Sequence, residues 1–364
     1  MAVRALAEGD IPQIAGLYWN FMRLRKGLPP AALVSLFHEL YFESPFTSDD
    51  FASLVYDVPN RGIVGFLGGS VRQMSVCGRS IRVMFGGNLV VHPDYRSGLV
   101  APRIVNTFRS NKYDLGMVDS ANNISKQILQ RMGYEVIPAL NIHWRRPLRP
   151  IQYGVYGVAV SANSSFLGKI AQAAQPFCRA ADAAASRIQA NPFRQREPRL
   201  QGSELDLETL LSCMIQFRKG YSICPEYSPE SLSWLMNWMK RQTFRGTLRK
   251  NVLRDRSQKV VGWYIYYAKR GAIGEVVQIG GYPNTTKDIL DHLFWDAQQQ
   301  AVIGLHGVVD SRRIPDFSDK GCFFTCRGGW SFAVSPSSEV MQMLERGEAF
   351  LSRLDGEWCL DPGE

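Results

Sequence analysis

The sequence is short of several things, and each shortage removes a class of protein. Its opening, MAVRALAEGD, has no apolar core and carries Glu8 and Asp10, so a secretory signal is not expected there. No stretch approaches the roughly 20 apolar residues needed to cross a bilayer. Cysteine is sparse at 7 residues, and the odd count argues against a disulfide framework. Cys322 and Cys326 lie four apart, but no second pair or nearby histidine completes a zinc site. On a strand that spacing places both on one face as core thiols, so no metal is expected. These features fit a reducing cytoplasm. No nucleic-acid-binding motif is present, and the basic residues are too dispersed for a duplex-binding stripe, so nucleic acid is not an expected partner.

What is present is an ordinary globular composition over 364 residues, 45% hydrophobic and 21% charged, long enough for two domains. The net charge of +9 is uneven. Residues 1–150 hold 17 basic and 11 acidic groups, residues 151–200 hold 6 and 2, and the remainder 19 and 20. The positive field belongs to the first half and the connector, which favours an anionic ligand there.

Residues 1–150 read as an α/β unit. Asp10 with Pro12 opens a helix to about residue 25, and a second runs from about Pro30 to Tyr41. Strands follow at 53–58, 62–76 and 80–91, the last two joined by a tight hairpin at Cys77-Gly78-Arg79. A helix is expected over 100–110, a strand over 114–119, and a helix over 122–132 ended by Gly133. A last strand is expected over 134–144. Residues 201–364 repeat this order: helices at 206–219 and 229–240, strands at 247–255, 259–269 and 273–282, a helix at 285–300, a strand at 304–310, a short helix, and a strand at 322–334.

The connector, 151–200, places Leu167, Ile170, Ala174, Cys178, Ala181, Ala185 and Ile188 on one helical stripe, with Lys169, Arg179 and Arg187 as its basic members and Pro176 as a kink. Two readings stay open: a helix packed on a domain, or a basic amphipathic helix in peripheral contact with a membrane.

The stretch NLVVHPDYRSGLVAPRIV, residues 88–105, is a strand, a polar turn and a helix start. The unpaired amides of such a turn, with the helix dipole, suit a pyrophosphate. Arg96 and Arg103 add positive charge. The order around this turn resembles the GCN5-related N-acetyltransferase (GNAT) superfamily over residues 1 to about 147. In that family an Arg-x-x-Gly-x-Gly/Ala turn holds the pyrophosphate of acyl-CoA. Here Arg96-Ser97-Gly98-Leu99-Val100-Ala101 matches at Arg96 and Ala101, with Gly98 one place early and Leu99 where glycine is usual. Asn122, Ser125, Ile128, Gly133 and Tyr134 fall in register with a second family segment, and Leu129 stands where the family's proton-donating tyrosine is usual. The later half resembles the same superfamily more faintly. Its turn, GGYPNTTKDIL, lacks the motif's arginine and glycine, and Thr285 with Asp288 reads as a capping box, hence a degenerate copy.

The resemblance implies two tandem GNAT-type domains, 1–150 and 201–364, each a mixed, mostly antiparallel central sheet flanked by helices. It also implies an acyl-CoA-dependent N-acyltransferase using acetyl-CoA or a longer acyl-CoA, with direct attack by the amine. The cofactor would lie along Leu89, Val90 and Val91, on the turn from Arg96 to Ala101, and near Asn122 and Ser125. Asp119 can serve as the base or as a helix cap. His92 can serve as a base or satisfy the turn, and Tyr95 as a proton donor or a packing group. Near Asn88 and Leu89 a strand amide would polarise the thioester, and Gly86-Gly87 suggests a bulge there. The aromatic and apolar stretches of the first two helices suit a small-molecule or lipid-like amine. The alternatives are a non-catalytic acyl-CoA-binding or assembly protein, discriminated by thiol release, and a membrane-surface acyltransferase.

Overall fold

The computed structural model describes residues 2–363 except 49, 51, 112, 162–164, 187–190, 192, 327 and 328, with the side chains of 159–161, 165–172, 175 and 186 also outside the description. Strands in chain order are β1 Ala2–Ala5, β2 Leu54–Val58, β3 Gly62–Val76, β4 Arg79–Val91, β5 Leu115–Ala121, β6 Glu135–Val136, β7 His143–Pro147 and β8 Gln201–Glu204. They continue as β9 Ile223–Glu226, β10 Thr247–Arg254, β11 Val260–Ala268, β12 Ile273–Gly281, β13 Gly304–Val308, β14 Phe323–Thr325 and β15 Trp330–Val334. The helices are α1 Ile11–Leu17, α2 Ala31–His38, α3 Val100–Arg109, α4 Asn123–Arg131, α5 Pro150–Ser161 and α6 Ser165–Ser186. After them come α7 Leu207–Phe217, α8 Pro229–Arg241, α9 Thr286–Gln299, α10 Ile314–Asp319 and α11 Ser338–Glu345.

Two compact units result. Unit 1 comprises Met1–Asn141, Gly220–Met239 and Arg327–Glu364; unit 2 comprises Ile142–Lys219 and Lys240–Cys326. The sheet of unit 1 runs β1-β2-β3-β4-β5-β15-β6, with β9 beside β3, and among the described strand pairs only β4–β5 is parallel. The sheet of unit 2 runs β14-β7-β13-β12-β11-β10-β8, and its β12–β13 pair is likewise the one parallel junction. Each is a mixed, mostly antiparallel sheet with helices packed on it, as expected.

The units do not follow consecutive halves of the chain. The strand expected at 134–144 breaks at Pro138 into β6, a 3-10 turn at Pro138–Leu140, and β7. β6 stays in the first sheet, while β7 lies in the second between β13 and β14. The strand expected at 322–334 also divides. β14 pairs with β7, and β15 enters the first sheet between β5 and β6. Cys322 is buried in the core of unit 2 and Cys326 is exposed, and both lie just outside β14 rather than within a strand. β1, β8, β9, α5 and α11 were not expected from the sequence.

Unit 1 has an apolar layer on each side of its sheet. Ile14, Phe37 and Phe66 pack one layer, and Ile104, Phe108 and Leu129 another. Among the connector positions, Cys178 is buried, Ala174 and Ala185 are partly buried, and Ala181 and Arg179 are exposed. The side chains of Leu167, Lys169 and Ile170, and all of Arg187 and Ile188, lie outside the described residues. α6 contains Pro176, and Asp182 caps the start of α5 by accepting from the amides of Ile151 and Gln152. Among the described residues no helix is long and apolar enough to cross a membrane, and no group of three His, Cys, Asp or Glu side chains could hold a metal.

Candidate functional site

The site begins with a backbone irregularity. In the β3–β4 register Phe66 faces Val90 but Gly68 faces Gly87, so Leu67 stands opposite two residues, Asn88 and Leu89. That is the bulge expected at Gly86-Gly87. Asn88, one of the two residues opposite Leu67, takes up the left-handed conformation (φ 53°) seen in some bulges. Parallel pairing of β4 with β5 ends at Phe85 and Met117, and beyond it β5 continues beside β15. The two strands therefore splay, and a cleft of about 550 Å³, partly open to solvent, lies between them. Gly86 to Leu89 form one wall, and Val118, Ser120 and Ala121 the other. Phe108 of α3 and Leu129 of α4 close it with apolar surface. A Cβ at Gly86 would stand 3.1 Å from Phe108, so the glycine lets α3 pack against the sheet at the cleft.

A segment from the far end of the sequence enters this splay. The 3-10 turn Glu357–Leu360 brings the Glu357 carboxylate to the bulge, where Oε1 accepts from the Asn88 amide at 3.0 Å. The segment is held by Asp119, whose carboxylate accepts from the amides of Glu357 (2.7 Å) and Trp358 (3.3 Å). Two glycines make the approach possible. A Cβ at Gly356 would lie 2.3 Å from Asp119 Oδ2, and one at Gly87 would lie 2.7 Å from Glu357 Cδ. Further along, Asp361 accepts from the Tyr18 hydroxyl at 2.9 Å and pairs with Arg23. Asp355 accepts from Tyr227 at 2.7 Å and from the Ser352 amide and hydroxyl.

This crowding of carboxyl groups sets their protonation. Desolvation raises the Glu357 carboxyl well above the ordinary range, the nearby Asp119 charge raises it further, and the Asn88 amide acts the other way. Asp119 is also raised by desolvation, with the amides of Glu357 and Trp358 and the charge of Arg72 opposing. Arg72 is 3% exposed and stacks 3.4 Å above the Phe46 ring.

Asp119 is not among the residues that line the cleft, and it does not cap α4; its carboxylate takes up the first two amides of the Glu357–Leu360 turn instead. Asn122 is the cap of α4, accepting from the amides of Ile124 (3.0 Å) and Ser125 (2.9 Å). Asn122 and Ser125 both line the cleft, as does Leu89, while Val90 and Val91 are buried in the core. The Asn88 amide, expected near the thioester, holds Glu357 instead. His92 sits at the strand end, accepts from the Asp94 amide at 3.4 Å, lies edge-on to Phe21, and is absent from the cleft wall. Tyr95 is a packing group on the apolar layer under α3.

The turn takes the expected form. Arg96 Nε donates to the Val91 carbonyl at 3.0 Å, tying the turn to the strand end, and Ser97, Gly98 and Leu99 are exposed. α3 then starts at Val100 with Ala101 in its first turn and no side-chain cap, which leaves the helix start available to an anion. Arg103 points elsewhere, to the Tyr56 hydroxyl at 2.9 Å.

In unit 2 the expected capping box is not formed. The Thr285 hydroxyl donates to the carbonyls of Val261 and Tyr282 rather than capping α9. The Trp263 ring lies where a Cβ of Gly280 would be, at 2.2 Å, so an indole fills the space beside β12.

Glu357 escaped the sequence reading because it is 238 residues from the aspartate that holds it. No local periodicity marks the stretch around it. Its one signal is a carboxylate between Gly356 and Trp358 in otherwise apolar surroundings.

No protein-family model matches the sequence, and no curated protein matches it either. Solved structures do match in fold. A conserved protein of Enterococcus faecalis, described as "Probable N-Acyltransferase", aligns with a TM-score of 0.58 at 10% identity, covering 91% of this chain and 71% of that one. A GCN5-related N-acetyltransferase of Anabaena variabilis aligns at 0.56 and 12% identity, covering 92% and 72%. Saccharomyces cerevisiae N-myristoyltransferase with bound myristoyl-CoA aligns at 0.52 and 12%, covering 91% and 78%. The chain therefore has the GNAT-type fold, built as two units on one polypeptide.

Proposed function

We propose that the chain is an acyl-CoA-dependent N-acyltransferase whose reaction takes place in unit 1. The observation that carries this reading is the splay between β4 and β5 with a proton-hungry carboxylate, Glu357, at its bulge. The turn from Arg96 to Ala101 and the uncapped start of α3 would hold the pyrophosphate. The pantetheine would run into the cleft past Asn122 and Ser125. Similarity in fold to a structure holding myristoyl-CoA supports an acyl-CoA donor, acetyl or longer.

Leu89 has no register partner on β3 and lines the cleft, so its amide is the candidate to polarise the thioester carbonyl. The amine nitrogen attacks the carbonyl carbon, the C–N bond forms, the C–S bond breaks, and CoA leaves as the thiolate. Glu357 takes the proton lost by nitrogen and returns it to the thiolate. Its raised proton affinity makes it a stronger base than an ordinary carboxylate. Asp119 is a positioning residue, since it touches the backbone of Glu357 and not the cleft. Activity should fall as pH drops through the raised Glu357 value, because a protonated carboxyl cannot accept.

The test is CoA release from acetyl-CoA and longer acyl-CoAs across a panel of amines, with Glu357→Gln beside the wild type. A general base is worth about 10²–10⁴-fold in turnover, so Glu357→Gln should lose that much and still bind acyl-CoA. Release at the rate of buffer hydrolysis with every amine would leave a non-catalytic acyl-CoA-binding protein as the reading.

A further inference from the structure

We propose that residues 22–28, in the segment between α1 and α2, dock unit 1 on an anionic membrane surface. The proposal goes beyond the acyltransferase reading and does not depend on it. It starts from side chains that folding leaves in water. Leu24 and Leu28 are 81% and 92% exposed, and Met22 is 39% exposed. Single exposed leucines are ordinary, but three long apolar side chains within one short loop mark a contact surface.

The loop is held in place. The Arg23 amide donates to the Tyr18 carbonyl and the Arg25 amide to the Trp19 carbonyl, both at 3.0 Å. The Asn20 side-chain amide donates to the carbonyls of Gly16 (2.9 Å) and Gly27 (3.2 Å), which clamps the loop across its base. The Arg23 guanidinium pairs with Asp361. Between these ties Leu24 keeps a left-handed backbone, φ 54°, uncommon for a residue other than glycine. A fixed loop thus presents the apolar side chains.

Charge selects the partner. From Ile11 to His38 the sequence has no aspartate or glutamate, and Arg23, Arg25 and Lys26 fall in that interval. Arg25 and Lys26 lie between the two leucines and are exposed. Phe21 is edge-on to His92, so the loop borders the turn after β4, which adds exposed Arg96 and one exposed acid, Asp94. Leucines flanking long-stemmed cations suit a bilayer interface: the apolar groups pass below the headgroups while the cations stay level with the phosphates. Neither Leu24 nor Leu28 lines the cleft. A fluid bilayer accepts such protruding side chains with no matching pocket, whereas a folded protein partner would need one. Met22 does line the cleft, so docking here would bring that wall of the cleft close to the membrane.

The experiment is co-sedimentation of the full chain with phosphatidylcholine vesicles, with and without about 30% phosphatidylglycerol. Binding should be about tenfold stronger or more with phosphatidylglycerol, and should weaken between about 0.1 and 0.5 M salt. The double variant Leu24→Asn/Leu28→Ser should bind at least about tenfold more weakly with an unchanged thermal melt, asparagine being tolerant of the left-handed backbone. Lys26→Glu, a change at an exposed position, should also weaken binding about tenfold on the anionic vesicles. No sedimentation with either vesicle would overturn the proposal. Equal binding by the wild type, the double variant and Lys26→Glu would overturn it too, by placing the contact elsewhere on the chain. A vesicle-independent dimer that the double variant abolishes would give the patch to a second copy instead. None of these outcomes requires CoA release, so failure here leaves the acyltransferase reading standing.

Discussion

Replacing Asp119 by asparagine tests how the Glu357 segment is held. The aspartate spans two amides, at 2.7 and 3.3 Å. Asparagine has a single carbonyl oxygen, so one amide stays paired and the other meets an NH2 group. A hydrogen bond to a charged partner contributes about 1.5–3 kcal/mol, and removing a desolvated charge beside a second carboxylate offsets part of the loss. A net destabilisation of about 1–2 kcal/mol is expected. The effect on turnover should be larger, because a reacting group misplaced by about 1 Å can cost on the order of 10²-fold. Acyl-CoA affinity should not change, as Asp119 is not part of the cleft wall. The pH profile gives the sharpest reading. The Asp119 charge raises the Glu357 carboxyl, so removing it lowers that value and moves the acid limb of kcat/KM to lower pH. Thermal melts, calorimetry with acetyl-CoA and a pH–rate profile together decide. An acid limb that stays put or moves to higher pH would refute the coupling, and full turnover at a lower melting temperature would reduce Asp119 to a fold-stabilising residue.

Gly98→Glu and Thr285→Glu compare the two units. Gly98 is exposed with room for a side chain, and a carboxylate there would face the pyrophosphate at a cost of about 4 kcal/mol at 4 Å before screening. Salt should leave about 1–2 kcal/mol, roughly a tenfold weaker Kd for acetyl-CoA by calorimetry. Thr285→Glu removes one hydroxyl hydrogen bond shared between two carbonyls, worth about 1 kcal/mol in stability, and should leave binding alone; the reverse pattern would place the cofactor in unit 2. Arg72→Met should cost about 2 kcal/mol or more through the lost stacking on Phe46. It should also raise Asp119 and Asp355 further, since the Arg72 charge lowers both. Its destabilisation in denaturant titrations should thus shrink as pH falls and both acids take up protons, and a loss independent of pH would remove Arg72 as their counter-charge.

Local signals carried much of unit 1. The Cys77-Gly78 hairpin forms with both residues at positive φ, Gly133 ends α4 at φ 80°, and the Gly86-Gly87 pair does mark a bulge. These are read from two or three adjacent residues, which is why they were legible. Thr285 was misread because the T-x-x-D spacing fits a cap, while the hydroxyl finds two nearer carbonyls. β1 has only four residues, too few for a period-2 pattern to stand out. The largest miss was the exchange of β7 and β15. Alternating apolar residues identify a strand but not the sheet it enters, and that choice depends on partners far away in sequence. The Glu357 segment was illegible for the same reason.

The placement of β15 also has a consequence for synthesis. β5 leaves the ribosome about 200 residues before its partner β15, an interval on the order of 10–40 s at ~5–20 residues per second. Throughout that time one side of β5 is an unpaired sheet edge with its amides and carbonyls free to recruit another chain. β7, already made, waits in the same way for β13 and β14. Nascent chains should therefore depend on chaperones until β15 has emerged, and residues 1–150 expressed alone should aggregate.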